Sequence, residues 1–218
     1  PLALQIMAKG CHAFILDYSV APNHFPASVR ELGEAVAYVR EHAAEWKVDP
    51  AKIIVCGSSA AGHLACSLGV FWDNELVYDA IGRTPAQIRP DGLILCYPVI
   101  TGGEYAHVNS FKRLLGDDVT QEQRDAVSLE NFVTEQTPRA FIWHTYTDEN
   151  VPVENSLLLA AAMKRKNVNF ELHIYPTGGH GLSLADEETA GNGFQVVEQC
   201  QSWIPLVKMW LKHFEASC

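Results

Sequence analysis

Three residues of this chain have the types and the order needed to move an acyl group: Ser59, Asp148 and His180. A serine hydroxyl is a weak nucleophile at neutral pH, so it needs an imidazole within hydrogen-bond reach to take its proton as it attacks an acyl carbon. A carboxylate on the far side of the ring then fixes the imidazole tautomer and stabilises the imidazolium that forms. Each of the three follows a stretch of strand character. Ile53-Ile54-Val55-Cys56 is an apolar, β-branched run ending at Gly57; Ser59 comes two residues later, and Ala60-Ala61-Gly62 lead into a helical stretch. A nucleophile elbow is built this way, because the strained serine needs small neighbours if strand and helix are to approach closely. The pattern G-x-S-x-G is met except at its last position, where Ala61 stands and glycine arrives one residue later. Taken alone, the run reads equally well as a strand, a glycine turn and a helix capped by Ser58 or Ser59.

The partners downstream separate these readings. Ala140-Phe141-Ile142-Trp143-His144-Thr145 has the composition of a buried strand, and Asp148 falls in the loop after it, ahead of Pro152 at a helix start. Phe170-Glu171-Leu172-His173-Ile174-Tyr175 alternates like an edge strand and is followed by the loop Thr177-Gly178-Gly179-His180-Gly181. Serine, then aspartate, then histidine, each after a strand, is the order of the α/β-hydrolase fold. His144 is a rival base, but it lies on a strand before Asp148 rather than in the terminal glycine loop.

A resemblance covers nearly the whole chain. The phrases CGSSAAGHLA (56–65), CYPVITGGEYAH (96–107), SFKRLLGDD (110–118), HTYTDENVPVENSLLLA (144–160) and ELHIYPTGGHGLSLA (171–185) resemble the acetyl esterase/lipase group of α/β-hydrolases, whose members are described as acetylxylan-esterase-like or carbohydrate-esterase-like. The resemblance implies a carboxylic ester hydrolase with Ser59 as nucleophile, His180 as general base and acid, and Asp148, rather than Glu149, orienting the histidine. Short acyl esters are implied as substrates, acetyl groups on sugars or oligosaccharides among them, through an acyl-enzyme. Group membership fixes the substrate only loosely. Related hydrolases cleave amides with the same triad, so a prolyl-oligopeptidase-like peptidase is the alternative enzyme, although no paired-glutamate motif for a peptide amine is present. A catalytically silent hydrolase scaffold is the alternative outside enzymes.

The oxyanion of the tetrahedral intermediate needs two donors. The backbone N–H of Ala60 supplies one, and in this fold a glycine-rich loop after the third strand supplies the other. Before the strand read at Ala13-Phe14-Ile15-Leu16-Asp17 there are only twelve residues, and Leu2, Leu4, Ile6 and Met7 among them pattern as the end of an amphipathic helix. The third strand and its loop are therefore expected before Pro1, in a protein longer by about 50 residues, judged from average element lengths. A strand at residues 1–10 would overturn that expectation. A natural short variant would lack one donor, which typically costs about 100- to 1000-fold in rate.

Composition suits a single α/β domain over residues 1–218, N-terminally incomplete, with an insertion at about 99–137 near the site. Hydrophobic residues make up 48% and charged residues 19% of the 218, enough to bury a sizeable core. The formal charge of −10 argues against nucleic acid or an anionic membrane surface as partner. No segment approaches the roughly 18 consecutive apolar residues of a membrane span. The expected partner is a small-molecule ester; oligomeric state is not specified. Six cysteines without C-x-x-C spacing read as small core residues in a reducing compartment, Cys56 and Cys96 within buried strands, and no signal-peptide pattern occurs, so a cytoplasmic location is expected. Nine histidines show no H-E-x-x-H or paired ligand spacing, and neither metal nor cofactor is implied.

The remaining elements serve to position the triad. A helix over Ala27 to Trp46 places Val29, Leu32, Val36 and Val39 on one face to cover the sheet. Gly92 to Tyr97 is a short apolar strand stopped by Pro98. The excursion after it holds a helical pattern at 110–115 closed by Gly116 and a capping box from Thr120 to Gln123. Ser202 is placed to cap a last helix with Trp203, Leu206, Val207, Trp210 and Phe214 on its apolar side. Tyr105 and His107, just beyond a strand's carboxyl end, are substrate-binding candidates. His63 and Trp143 read as buried structural residues, and Asn155 as facing the first turn of its helix.

Overall fold

The computed structural model describes residues 1–8 and 10–214. Four strands, β1 (Ile54–Ser58), β2 (Gly92–Cys96), β3 (Ala140–Thr145) and β4 (Phe170–Tyr175), form a wholly parallel sheet in the order β1-β2-β3-β4. Parallel strands need crossovers, and helices provide them. Before β1 come α1 (Leu2–Met7), α2 (Ala27–Glu41) and α3 (Ala43–Trp46); between β1 and β2, α4 (Ala60–Phe71) and the short α5 (Glu75–Tyr78) and α6 (Pro85–Ile88). Helices α7 (Val108–Leu115) and α8 (Gln121–Asp125) fill the excursion before β3, α9 (Glu154–Arg165) joins β3 to β4, and α10 (Trp203–Leu211) follows β4. β2 and β3 are buried along their whole length, as strands covered on both faces must be.

Alternation along the strands splits the core in two. Val55, Leu93, Leu95, Ala140 and Ile142 pack with residues of α2, α4 and α9 on one face. Ile94, Cys96, Phe141 and Trp143 pack with α10 and, at the margin, Leu2 and Ile6 of α1 on the other, where the Trp143 and Trp203 rings stack at 5.4 Å. A smaller cluster, Val99, Phe111, Val127 and Val151, anchors the excursion. Since all strands run one way, the loops leaving their carboxyl ends gather on one edge of the sheet, and these loops carry Ser59, Tyr97, Asp148 and His180.

The fold departs from the sequence reading in several places. Residues 13–17 form no strand; Phe14 is 51% and Ile15 86% exposed. A strand exists only through its ladder, and among the described residues none pairs with this segment, which attaches to the core through Leu16 and Tyr18 instead. Residues 2–7 are helical, as their pattern predicts. The helix over 27–46 is two helices, interrupted at His42, whose ring bonds back to the Tyr38 carbonyl and stacks on Trp46. Cys56 is exposed rather than buried, because β1 is a terminal strand and α10 packs over β2 and β3. Cys66, Cys96 and Cys200 are buried, Cys11 is half-buried, and Cys218 lies outside the described residues. Ser202 stands at the N-cap of α10, but its hydroxyl donates to the Gln199 carbonyl and accepts from the Tyr175 hydroxyl rather than capping the helix. The Thr120–Gln123 capping box and the Gly116 stop are as read. Among the described residues no helix is long and apolar enough to cross a membrane.

Candidate active site

Ser59 sits at the tip of the turn between β1 and α4 with φ 54° and ψ −120°, a backbone conformation that costs a non-glycine residue about 1–3 kcal/mol. Three backbone bonds hold it there. Its N–H donates to the Cys96 carbonyl (3.0 Å), and its carbonyl accepts from Val99 (3.1 Å) and His63 (3.2 Å). The need for small neighbours is physical: a Cβ on Gly57 would lie 2.0 Å from the Ala61 carbonyl oxygen, and one on Gly62 would lie 2.7 Å from Pro98 Cβ. The close approach of α4 to β2 thus falls at Gly62, and the methyl of Ala61 is accommodated.

The His180 loop is fastened to the loop after β3. The Gly178 carbonyl accepts from the hydroxyls of Thr145 and Thr147, both at 2.9 Å, and the Gly178 N–H donates to Thr147 Oγ1. With φ 145° and a would-be Cβ 2.7 Å from Thr145 Cγ2, that position requires glycine. The clamp sets His180 between its two neighbours: Nε2 is 2.6 Å from Ser59 Oγ, and Nδ1 is 2.6 Å from Asp148 Oδ2. The structure therefore brings Ser59, His180 and Asp148 into one hydrogen-bonded chain. Glu149 is exposed, and His144 is fully buried, its ring nitrogens bonded to Ser156 Oγ and the Val151 carbonyl and neither directed at Ser59.

Asp148 is itself buried, and burial alone would raise its carboxyl. Hydrogen bonds from His144, His180 and the Val151 N–H outweigh that and hold it below the usual carboxylate range, so it stands ionised beside the imidazole. Its Oδ1 accepts from the N–H groups of Asn150 and Val151, each at 3.0 Å. Tyr97, at φ 37°, lays its ring edge-on against His180 (5.1 Å) and Trp143 (5.0 Å), and its oxygen accepts from the Ser183 N–H. Burial pushes its phenol up to about 12, so it remains a neutral packing surface for the imidazole. Ala60 is the first residue of α4 and is exposed; the first-turn N–H groups of a helix have no intrahelical acceptor, which leaves its N–H available. A cavity of about 330 Å³ opens beside it, walled by Leu64, Val99, Phe111 and Leu114.

His107 stands at the N-cap position of α7 without capping it through its side chain; its Nδ1 is 2.8 Å from Ser110 Oγ. Burial lowers its imidazole below the ordinary value, and His180 lowers it further, against the opposing pull of Asp148. Tyr105 is half-buried, and its carbonyl accepts from Asn155 Nδ2. Asn155 does more than its sequence position suggests: its Oδ1 also accepts from Ile100 and Thr101, so one buried amide holds the loop that leads to Tyr105 and His107. His63 is buried between the Val127 carbonyl and Ser67. The parts that sequence reasoning missed are Tyr97, the links of Asn155 to the loop, and the bond from His144 to Asp148. Only the last had a signal, four residues separating the two on a strand and its loop.

The parallel sheet, the elbow and the loop clamp together define an α/β-hydrolase fold. Within that fold the chain belongs to the BD-FAE family, whose model matches residues 2–163. It is 38% identical over 195 residues to endo-1,4-beta-xylanase B of Butyrivibrio fibrisolvens, covering 85% of this chain and 30% of that protein. It is 28% identical over 181 residues to an acetylxylan esterase of Xylanibacter ruminicola, covering 81% and 35%. The chain thus spans about a third of the length of these curated relatives. Among solved structures, an acetyl ester-xyloside bifunctional hydrolase from Caldicellulosiruptor lactoaceticus superposes with a TM-score of 0.86 at 38% identity, covering 99% of this chain and 76% of the other.

Proposed function

We propose that this chain is a serine carboxylic ester hydrolase acting on short-chain acyl esters, acetyl esters of sugars or oligosaccharides among them. The unbroken relay from Ser59 Oγ through both nitrogens of His180 to Asp148 Oδ2 carries the reading. The named activities of the xylan-directed and esterase relatives support the substrate class.

In this scheme Ser59 attacks the acyl carbon while His180 Nε2 takes its proton. Negative charge gathers on the carbonyl oxygen, toward the Ala60 N–H. Collapse of the intermediate expels the alcohol with the proton from His180, leaving an acyl-serine. Water, deprotonated by the same nitrogen, attacks that ester; the acid leaves and Ser59 regains its proton. Asp148 keeps the other imidazole proton on Nδ1 throughout and stays ionised. His107 and Tyr105, on the loop that Asn155 holds beyond the carboxyl end of β2, are assigned to substrate binding in this scheme.

The test is hydrolysis of p-nitrophenyl acetate, butyrate and octanoate and release of acetate from acetylated xylo-oligosaccharides, by the chain and its Ser59→Ala variant in parallel. Turnover that favours acetate and disappears in the variant is expected. Turnover unchanged by Ser59→Ala, or none from the folded chain, would refute the proposal.

A further inference from the structure

His144 lies beneath the proposed triad and has no part in the reaction as written. It is fully buried in β3, and each ring nitrogen has a partner. Nδ1 is 2.8 Å from Ser156 Oγ; Nε2 is 2.9 Å from the Val151 carbonyl and 3.3 Å from Asp148 Oδ2. A carbonyl can only accept, so the proton facing Val151 belongs to His144 Nε2. The same nitrogen lies 3.3 Å from the carboxylate oxygen to which His180 Nδ1–H donates at 2.6 Å, close enough for its N–H to be drawn toward both. Asp148 therefore has donors from the N–H groups of Asn150 and Val151 on Oδ1, and from His180 and His144 on Oδ2. One of these donors is a histidine sealed from solvent.

We propose that His144 is a positioning residue that sets the basicity of His180 through Asp148, an inference that rests on the hydrolase reading above. Two donors on one carboxylate oxygen divide its charge. The share taken by His144 is withheld from His180 Nδ1–H, so the imidazolium is stabilised less than an undivided carboxylate would stabilise it. His144 also fixes the plane of the Asp148 carboxylate, while Ser156 on α9 fixes the ring of His144. The other titratable groups facing this unit are His107, which senses both His180 and Asp148, and the Tyr97 phenol, whose ring packs on His180. Both remain in every variant below.

The experiment is an NMR titration of the His180 imidazole in the chain and in His144→Phe, His144→Gln and Ser156→Ala, with pH profiles of kcat/KM on p-nitrophenyl acetate. His144→Phe is expected to raise the His180 midpoint by about half to one pH unit, the ordinary reach of one charge-assisted hydrogen bond. Ser156→Ala, which frees the ring, shifts it the same way by less, and His144→Gln, whose amide can still donate toward Asp148, falls closer to the parent. The acid limb of kcat/KM follows these midpoints. A merely structural His144 would change the melting temperature and leave the midpoint in place. An unmoved or lowered midpoint in folded variants overturns the proposal; if His144→Phe does not fold, an unmoved midpoint in Ser156→Ala overturns it equally. Because the titration needs no turnover, a shifted midpoint in an inactive chain would count against the hydrolase reading alone. Turnover without a shift would count against His144 alone.

Discussion

Asp148→Asn exchanges an oxygen for an amide nitrogen with almost no change of shape, and the surrounding loop decides which oxygen is lost. Oδ1 accepts from two backbone N–H groups at 3.0 Å, so the amide oxygen must stay there and the NH₂ must take the place of Oδ2. In that place it meets two donors, His180 Nδ1 at 2.6 Å and His144 Nε2 at 3.3 Å. His144 cannot exchange tautomer without giving up the Val151 carbonyl. His180 can, by moving its proton to Nε2, which then points at Ser59 Oγ and no longer accepts its proton. The expected result is a fall in kcat/KM for p-nitrophenyl acetate of about 10⁴-fold at neutral pH, or about 5.5 kcal/mol of transition-state stabilisation, with the fold retained. Steady-state kinetics with circular dichroism and thermal melts measures this. Glu149→Gln, on the exposed neighbour, is the control and should leave kcat/KM within about twofold of the parent, as surface changes usually do. A folded Asp148→Asn enzyme that loses less than about tenfold refutes the tautomer argument.

Gly62→Ala places a methyl 2.7 Å from Pro98 Cβ and 2.9 Å from its Cα, so α4 must move away from the strand end that follows β2. A loss of about 1–3 kcal/mol in urea unfolding is expected, and an unchanged midpoint would show that the elbow has slack. His63 is buried, and burial lowers its imidazole from the ordinary 6.5 to about 4. Its folded pKa lies below its unfolded one, so the unfolded state binds the extra proton first. The stability it supports is complete above about pH 6.5 and declines as pH falls toward 4, by roughly 3 kcal/mol in all. His63→Gln should flatten the dependence of the urea midpoint on pH across that window; an equally steep variant would assign the slope to other groups.

The sequence resolves the elbow because its requirements are local: a β-branched strand, glycine where the chain folds back on Ala61, and small residues where a helix starts. The same is true of β3 and β4, which match Ala140–Thr145 and Phe170–Tyr175, and of the capping box at Thr120. Choosing Asp148 over Glu149, and His180 over His144, depended on order and resemblance, since a sequence cannot show which of two adjacent carboxyl groups turns inward. Tyr97 gave no sign, because its contact with His180 joins residues far apart in the chain.

What the sequence determined by itself was the four strand segments of the sheet, the turns that close them, and the order in which serine, aspartate and histidine follow, because propensity and turn chemistry act over a few residues. Tertiary structure decided the rest. Residues 13–17 have a strand's pattern and no strand, because a ladder needs a partner that local sequence cannot supply. Cys56 has the setting of a core residue and is exposed, because burial depends on which helix covers which strand. The 2.6 Å contacts of His180 exist because parallel strands bring three distant loops to one edge and Thr145 and Thr147 clamp the last of them in place.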